Sequence, residues 1–549
     1  MGYYKDYSIE KFENPPLWEN PDNQRKNLLY NLPLYGISSD ATIGTTYETD
    51  YYNTKEDCLK LTDGIKAAVA DSSDKAYFHF TRGVGRSVVF KLPALSAIDE
   101  VRVSFLRQDS TGVKLPRRLD VIISQDGDSW QRIVKARDLK SPEFTQKFEF
   151  TQKLDAAYKA LYIAFKFEVP SHVWIDEFEV YGTTAIPENA KDVVGEDFDG
   201  DVALAMVNKY PEYSDFLNVH NLLLSYNCVP PEKVGPNGLG LITTEQYIPH
   251  LAYINKEGKM TDTFFDSFLY LPYSVFTYSK LYKCAEGWKY YVDNVFAEGR
   301  NTDALNEAAG IVEKELGLKD YKVNVFFSIL CTKVRYGEFP EKFGDLDGDG
   351  VDEDMSSLQD RKKALKWVID EQLNRFKERN YSHLNLGGFY WFEEDINYND
   401  EYELDLLAFA REYLHSLGLK FFWIPYFQAW GFTDWKENGF DIACMQPNYA
   451  FRKDEPVQRL YENASMTKAL GMCVELEIGG LKPDDIERYK CYLDVGAETG
   501  YMNTIKMYYQ GGVPGEFYRA YTSDDPLVRS VYDDTYLFAK EKYVSRKFR

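Results

Sequence analysis

Gly388-Phe389-Tyr390-Trp391-Phe392-Glu393-Glu394-Asp395 is a short apolar run that stops abruptly in three carboxylates. Its surroundings decide how it is read. Ahead of it, Ser357 to Arg379 opens with a capping-box-like Ser-Leu-Gln-Asp and carries Ala364, Leu365, Val368, Ile369, Leu373 and Phe376 along one helical stripe. Behind it, Tyr402 to Leu417 has helical periodicity and Lys420-Phe-Phe-Trp-Ile-Pro-Tyr426 is a second apolar run. Apolar strands alternating with amphipathic helices are the signature of a parallel α/β fold.

Working outward, the same alternation fills the chain from Asp199 to Arg549. The further strand candidates are Asn221–Asn227, Phe265–Leu271, Val323–Leu330, Asp441–Pro447, Met472–Ile478 and Met502–Tyr508. Helical patterns also cover 303–318, 457–470 and 525–543. Eight strands in roughly 350 residues predict a (β/α)8 TIM barrel. No Gly-rich nucleotide loop follows any strand, which speaks against an open doubly wound sheet.

The N-terminal part has a different grain. Ser87-Val-Val-Phe-Lys-Leu92, Val101-Arg-Val-Ser-Phe-Leu106, Leu119-Asp-Val-Ile-Ile-Ser124 and Tyr162-Ile-Ala-Phe-Lys-Phe167 are short alternating runs broken by turn residues, as in an all-β sandwich. Leu61-Thr-Asp-Gly64, Pro116 to Trp130 with its Ser-Gln-Asp-Gly turn, and Val173-Trp-Ile-Asp-Glu-Phe-Glu-Val-Tyr181 resemble the discoidin, or galactose-binding-like, module. The resemblance implies a jelly-roll β-sandwich that either binds glycans or braces its neighbour. The chain is divided accordingly into an extension (1–30), the discoidin-like sandwich and candidate carbohydrate-binding module (31–185), a linker (186–217) and a catalytic barrel (218–549).

Composition narrows the function. A formal charge of −23 over 549 residues is opposed to nucleic-acid binding, which needs clustered Lys and Arg. No apolar run approaches the ~18 residues of a membrane span. Seven Cys show no CxxC spacing, six His form no HExxH or HxH, and there is no GxSxG elbow or Walker loop. The 43 Tyr, 35 Phe and 9 Trp supply aromatic faces suited to sugar rings as well as to cores.

In a parallel barrel, chemistry sits at the carboxyl ends of the strands. Two runs end there in acids: the fourth in Glu393 and Glu394, the seventh in Glu475 and Glu477, which period-two alternation sets on one face with Cys473. Paired carboxylates on opposed strands suit glycoside hydrolysis, one protonating the leaving oxygen and the other attacking the anomeric carbon. Glu394 is the expected acid/base and Glu475 the first choice of nucleophile, with Glu477 the alternative. Acids flanking strands also cap helices or pair with Arg, the competing structural reading. Trp391, Glu393, Tyr426, Gln428, Trp430, Gln446, Asn448, Tyr449, Lys506 and Tyr508 close the neighbouring strands and are the candidate sugar contacts.

Asp345-Leu-Asp347-Gly-Asp349-Gly-Val-Asp352-Glu353-Asp354 has the alternating oxygens of a calcium loop, although Ser356 stands where the twelfth-position Glu would be. Asp345, Asp347, Asp349 and Glu353 are the candidate ligands of a structural Ca2+. No cofactor is expected for catalysis.

The fourth-and-seventh-strand placement of acids resembles the large retaining clan of (β/α)8 glycosidases, in which the strand-four acid usually follows Asn; Glu393 holds that place here. Gly388-Phe-Tyr-Trp391, Gln446-Pro-Asn-Tyr449, Val474-Glu-Leu-Glu477, Phe265-Asp-Ser-Phe-Leu269 and Tyr247-Ile-Pro-His-Leu-Ala-Tyr253 resemble the bacterial family of domain of unknown function 4855. That resemblance implies a glycan-directed barrel that often accompanies a discoidin-like module. A retaining glycoside hydrolase acting on a poly- or oligosaccharide is the leading expectation; a glycan-binding protein with a degenerate barrel is the rival. Carbohydrate is the expected partner of a monomeric chain, and export to the periplasm, cell surface or medium follows from that function rather than from any leader after Met1-Gly2.

Overall fold

The computed structural model describes residues 10–11, 24–39, 56–81, 86–108, 113–137, 139, 141, 143, 145–169, 172–196, 207–332, 342–397, 400–427, 429–512 and 514–548. The chain forms two compact units, Met1–Asn208 and Lys209–Arg549.

The first unit is a nine-stranded antiparallel sheet folded over one core. Two 23-residue strands, Arg86–Gln108 and Thr145–Phe167, pair along their length and bend at irregularities between Lys91 and Ser96 and between Ile98 and Glu100, so each serves both layers. The layers meet at Phe165 and Phe178, with ring centroids 4.5 Å apart. The Asp126-Gly127 turn that carries the discoidin likeness has a local cause. Asp126 Oδ1 accepts the N–H groups of Asp128 and Ser129, Gly127 takes φ +84°, and the Trp130 indole donates to the Gly127 carbonyl at 3.0 Å.

In the second unit, eight parallel strands close into a barrel in chain order. They are β1 (Asn221–Cys228), β2 (Ser267–Pro272), β3 (Val323–Ile329), β4 (Leu384–Trp391), β5 (Lys420–Trp423), β6 (Ile442–Met445), β7 (Cys473–Glu477) and β8 (Lys506–Tyr509). Helices occupy the crossovers: α1 (Thr244–Leu251), α2 (Ala285–Val295), α3 (Thr302–Leu316), α4 (Leu358–Arg379), α5 (Glu403–Ser416), α6 (Gln458–Leu470) and α7 (Pro483–Thr499), with α8 (Glu516–Tyr521) and α9 (Pro526–Ala539) after β8. Between β5 and β6 the described residues hold one 3-10 turn, Phe432–Asp434, instead of a helix.

Sequence sets these limits. Ser357 caps α4 by accepting the Asp360 N–H, and Asn380 ends it at φ +46°. Pro483 opens α7 and Pro526 opens α9, where the missing N–H costs nothing. The barrel interior is one apolar cluster in which Leu222 and Leu224, Leu269 and Leu271, Phe422 and Ile424, Ile442 and Cys444, and Ile505 and Met507 alternate inward from their strands.

Of the stretch 186–217, the residues on either side of 197–206 are described. Lys191 pairs by backbone with Ala157 and Lys159 of the sandwich. The turn Tyr213–Phe216 closes the foot of the barrel, with Phe216 on Phe326 and Phe422 at 5.3 and 5.6 Å.

Candidate active site

The inward rows of β1, β4, β7 and β8 end at the carboxyl mouth of the barrel in Tyr226, Tyr390 and Phe392, Glu475 and Glu477, and Tyr509. Glu394 lies just beyond β4. These groups share one electrostatic neighbourhood. After burial, the largest cause, Glu394 and Glu475 both raise the Tyr226 and Tyr390 hydroxyls, and Glu475, Glu477 and Glu394 all raise Tyr509, to about 12. The acids of the fourth and seventh strands therefore share one neighbourhood at the mouth.

The two acids of β7 differ in their surroundings. Glu475 is 2% exposed and its Oε1 has no hydrogen-bond partner. Burial, with Glu477 and Glu394 beside it, holds its carboxyl far above the usual carboxylate range. Glu477 ends the strand. Tyr492 of α7 donates its hydroxyl to Glu477 Oε2, and the backbone N–H groups of Asn448 and Tyr449 also donate to this carboxylate. Burial still pushes Glu477 up to about 8, with Glu394 adding to the rise.

Beside these acids lies a cleft of about 170 Å3, lined by Tyr226, Tyr278, Tyr282 and Tyr390, by the apolar Leu271, Pro272 and Phe392, and by Ser274, Thr277, Glu393 and Glu394. Tyr278 is 64% exposed at the edge. Tyr226 packs edge-on against Tyr509 and tilts against Tyr273. The neighbouring acids Glu393 and Glu394 act on different groups: Glu394 on Tyr226 and Tyr509, Glu393 on Tyr282 and Cys331.

Four candidate sugar contacts lie elsewhere. Trp391 follows the inward Tyr390, so it points outward and meets Phe421 edge-on at 6.1 Å. Lys506 begins β8 at the foot of the barrel, where its ammonium donates to the Met502 and Thr504 carbonyls at 2.8 Å. Tyr508 is also outward-facing and donates to Asn221 Oδ1. Residues 501–503 form a 3-10 turn, so the strand begins later than the apolar run Met502–Tyr508 predicts, and Ile505, Met507 and Tyr509 take the inner face, which leaves Lys506 and Tyr508 outside it. Tyr449 contributes its backbone, while its ring lies under the Arg488 guanidinium, 3.6 Å from the centroid.

The remaining candidates lie near the mouth. Tyr426 continues the inward row of β5 and bridges to Gln446, whose side-chain amide donates to the Ile424 carbonyl at 3.0 Å. Asn448 adopts φ +54°, which turns its N–H toward Glu477. Trp430 joins the β5 loop to the β4 loop, its N–H donating to Asp395 Oδ1 and its carbonyl accepting from Ile396. Gln428 lies outside the described residues. Sequence reasoning passed over Tyr226, Tyr390 and Tyr509, which strand parity from Leu222 and Met507 marks as inward, and Tyr492, for which no local pattern exists.

In the acidic loop, oxygens of Asp345, Asp347 and Glu353 lie within 4.8 Å of one another. Asp345 already accepts the Gly348 and Gly350 N–H groups, and Glu353 accepts the Leu346 N–H. The Lys363 ammonium sits 3.0 Å from Asp347, 2.7 Å from Asp349 and 2.8 Å from Glu353. A calcium ion needs six to eight oxygens. With these oxygens engaged and a lysine supplying the positive charge, the residues do not fit a calcium ion while Lys363 keeps its place.

Among the described residues no helix is long and apolar enough to cross a membrane. Solved structures similar to the N-terminal part are carbohydrate-binding modules. They include CpGH89CBM32-6 from Clostridium perfringens (16% identity, 29% of this chain and 99% of that one, TM-score 0.20) and chitosan-binding module 1 of a chitosanase/glucanase from Paenibacillus sp. IK-5 (15%, 29% and 99%, 0.19). A third is the family 32 carbohydrate-binding module of EndoD from Streptococcus pneumoniae (12%, 28% and 99%, 0.21). No curated protein sequence matches the chain. The pattern of the family described as Domain of unknown function (DUF4855) matches residues 234–537, more than half of the chain and nearly all of the barrel, and the chain belongs to that family.

Proposed function

We propose that the chain is a retaining glycoside hydrolase whose second unit is a (β/α)8 barrel of the TIM type, with the sandwich as an accessory glycan-binding module on an exported, monomeric protein. The observation that carries this reading is the convergence of Glu394 from β4 with Glu475 and Glu477 from β7 at the carboxyl mouth of one closed parallel barrel.

Glu394 is the acid/base and Glu477 the nucleophile. Glu477 ends its strand, and its three donors stabilise the anion that attack requires. Glu475 lies one pleat deeper without such donors, so of the coupled pair it keeps the proton. In the first step Glu394 gives its proton to the glycosidic oxygen while a Glu477 oxygen bonds to the anomeric carbon and the leaving alcohol departs. In the second, Glu394 takes a proton from water, whose oxygen replaces the Glu477 ester and regenerates both acids. Retention requires the two carboxyl groups about 5–5.5 Å apart.

One observation favours the rival reading, a glycan-binding protein without turnover: burial pushes both acids of β7 toward their neutral forms. Reducing-end release from a broad glycan panel separates the two. Loss of release in folded Glu394→Gln and Glu477→Gln, with azide restoring turnover only in a Glu477→Gly variant, is the expected result. Binding without release from any glycan, or full activity in Glu394→Gln, would overturn the assignment.

A further inference from the structure

A single exposed apolar side chain is ordinary on a protein surface. Phe451, in the connection after β6, is set apart by where it is held. Its ring is 49% exposed, and no other Phe or Trp among the described residues is exposed as much. The ring stands edge-on to Tyr509, with centroids 5.3 Å apart and planes at 88°. Tyr509 ends the inward row of β8, and its hydroxyl is raised by burial and then by Glu475, Glu477 and Glu394. Phe451 therefore borders the acidic mouth.

Two further features fix the ring and keep it open. Arg488 of α7 donates to the carbonyls of Tyr449, Arg452 and Lys453, so the backbone is tied down on both sides of residue 451. Beside the ring lies the exposed Gly479, two residues and so at most about 7 Å after Glu477. A methyl built on Gly479 would touch Cδ1 and Cε1 of Phe451 at 3.6 Å, so glycine leaves that edge uncovered. We propose that Phe451 is a sugar-stacking platform, on which a pyranose unit next to the one attacked at Glu477 lays its C–H face, with its edge over Gly479. Covering the exposed part of the ring removes apolar area from water, and a ring already held in place loses little freedom when covered. The platform selects glycans of at least two sugars with one unsubstituted C–H face.

This inference rests on the reading of the mouth as the glycan site, and its test lets the two fail separately. Affinities of the full chain are measured by titration calorimetry for short oligomers of glucose, galactose, mannose, xylose and N-acetylglucosamine in α and β linkage, with Glu394→Gln as the parent wherever the wild type consumes the ligand. Phe451→Ala should weaken binding of the preferred series about tenfold, what covering half of a phenyl ring is worth. Phe451→Leu, which keeps apolar bulk against Tyr509 but has no flat face, and Gly479→Val, which crowds the ring, should each weaken it as well. Phe451→Trp should keep the affinity and add a glycan-dependent change in indole emission that the parent lacks. No binding of any oligomer, parental affinity in folded Phe451→Ala or Phe451→Leu, or no weakening by Gly479→Val would overturn the platform. Phe451-dependent binding without release from any glycan would remove the hydrolase reading alone; Glu394-dependent release with affinity and KM indifferent to Phe451→Ala would remove the platform alone.

Discussion

Tyr492, in the middle of α7, donates its hydroxyl to Glu477 at the end of β7, fifteen residues earlier in the chain. The strand thus receives a donor for its acid from the helix that follows it. Tyr492→Phe removes one hydrogen bond to a charged group, worth about 1.5–3 kcal/mol. Turnover should fall about 10- to 150-fold with the fold intact, and the ionisation of Glu477 should move to higher pH, read from the acidic limb of the pH–rate profile.

Two buried acids away from the β7 pair make stability depend on pH. Burial pushes Glu177 and Glu403 each up to about 8, against an ordinary value near 4.5. A raised carboxyl favours the fold while it keeps its proton, so the contribution is full below about pH 4.5 and is lost as pH rises through about 8. The melting temperature should fall by several degrees from pH 5 to pH 8. Glu403→Gln, which cannot ionise, should flatten that slope; a slope of opposite sign would show that these carboxyls are ionised in the fold.

The acidic loop should be indifferent to calcium. Chelator and added calcium are expected to leave the wild-type melting temperature unchanged, because the Lys363 ammonium holds Asp347, Asp349 and Glu353 together where the ion would sit. Lys363→Met frees those oxygens and should make stability calcium-dependent by a few degrees. A calcium-dependent wild type would mean that the lysine yields to the ion.

Two positions should prove critical to the barrel. Phe216→Ala empties the foot of the interior, where the ring is fully buried, and should cost about 3–5 kcal/mol by denaturant unfolding. Gly388→Ala would place a methyl 2.1 Å from the Lys420 carbonyl, so β4 and β5 could not keep their spacing and soluble yield should collapse.

The barrel was legible because eight apolar runs and their helices repeat, and Glu394, Glu475 and Glu477 because they close two of those runs. Side-chain direction was harder to read. Trp391 sits one residue from an inward neighbour, and parity alone turns it onto Phe421. Lys506 looked like the end of a strand because Met502 and Ile505 extend the apolar run backward through a turn. Phe216 was invisible as core because a four-residue turn has no periodicity. The donors to Glu477 come from Asn448, Tyr449 and Tyr492, and no spacing in the sequence announces a contact that only closure of the barrel creates.

Arg488 of α7 has a bearing on how this scaffold can diversify. Its guanidinium donates to the carbonyls of Tyr449, Arg452, Lys453 and Glu455, stapling the loop after β6. That loop supplies two of the N–H donors to Glu477. Lengthening it would detune the reactive acid together with any change in what it touches. The connection after β1, around residues 235–240, supplies none of the donors given for Glu477, so a change of length there leaves those hydrogen bonds in place.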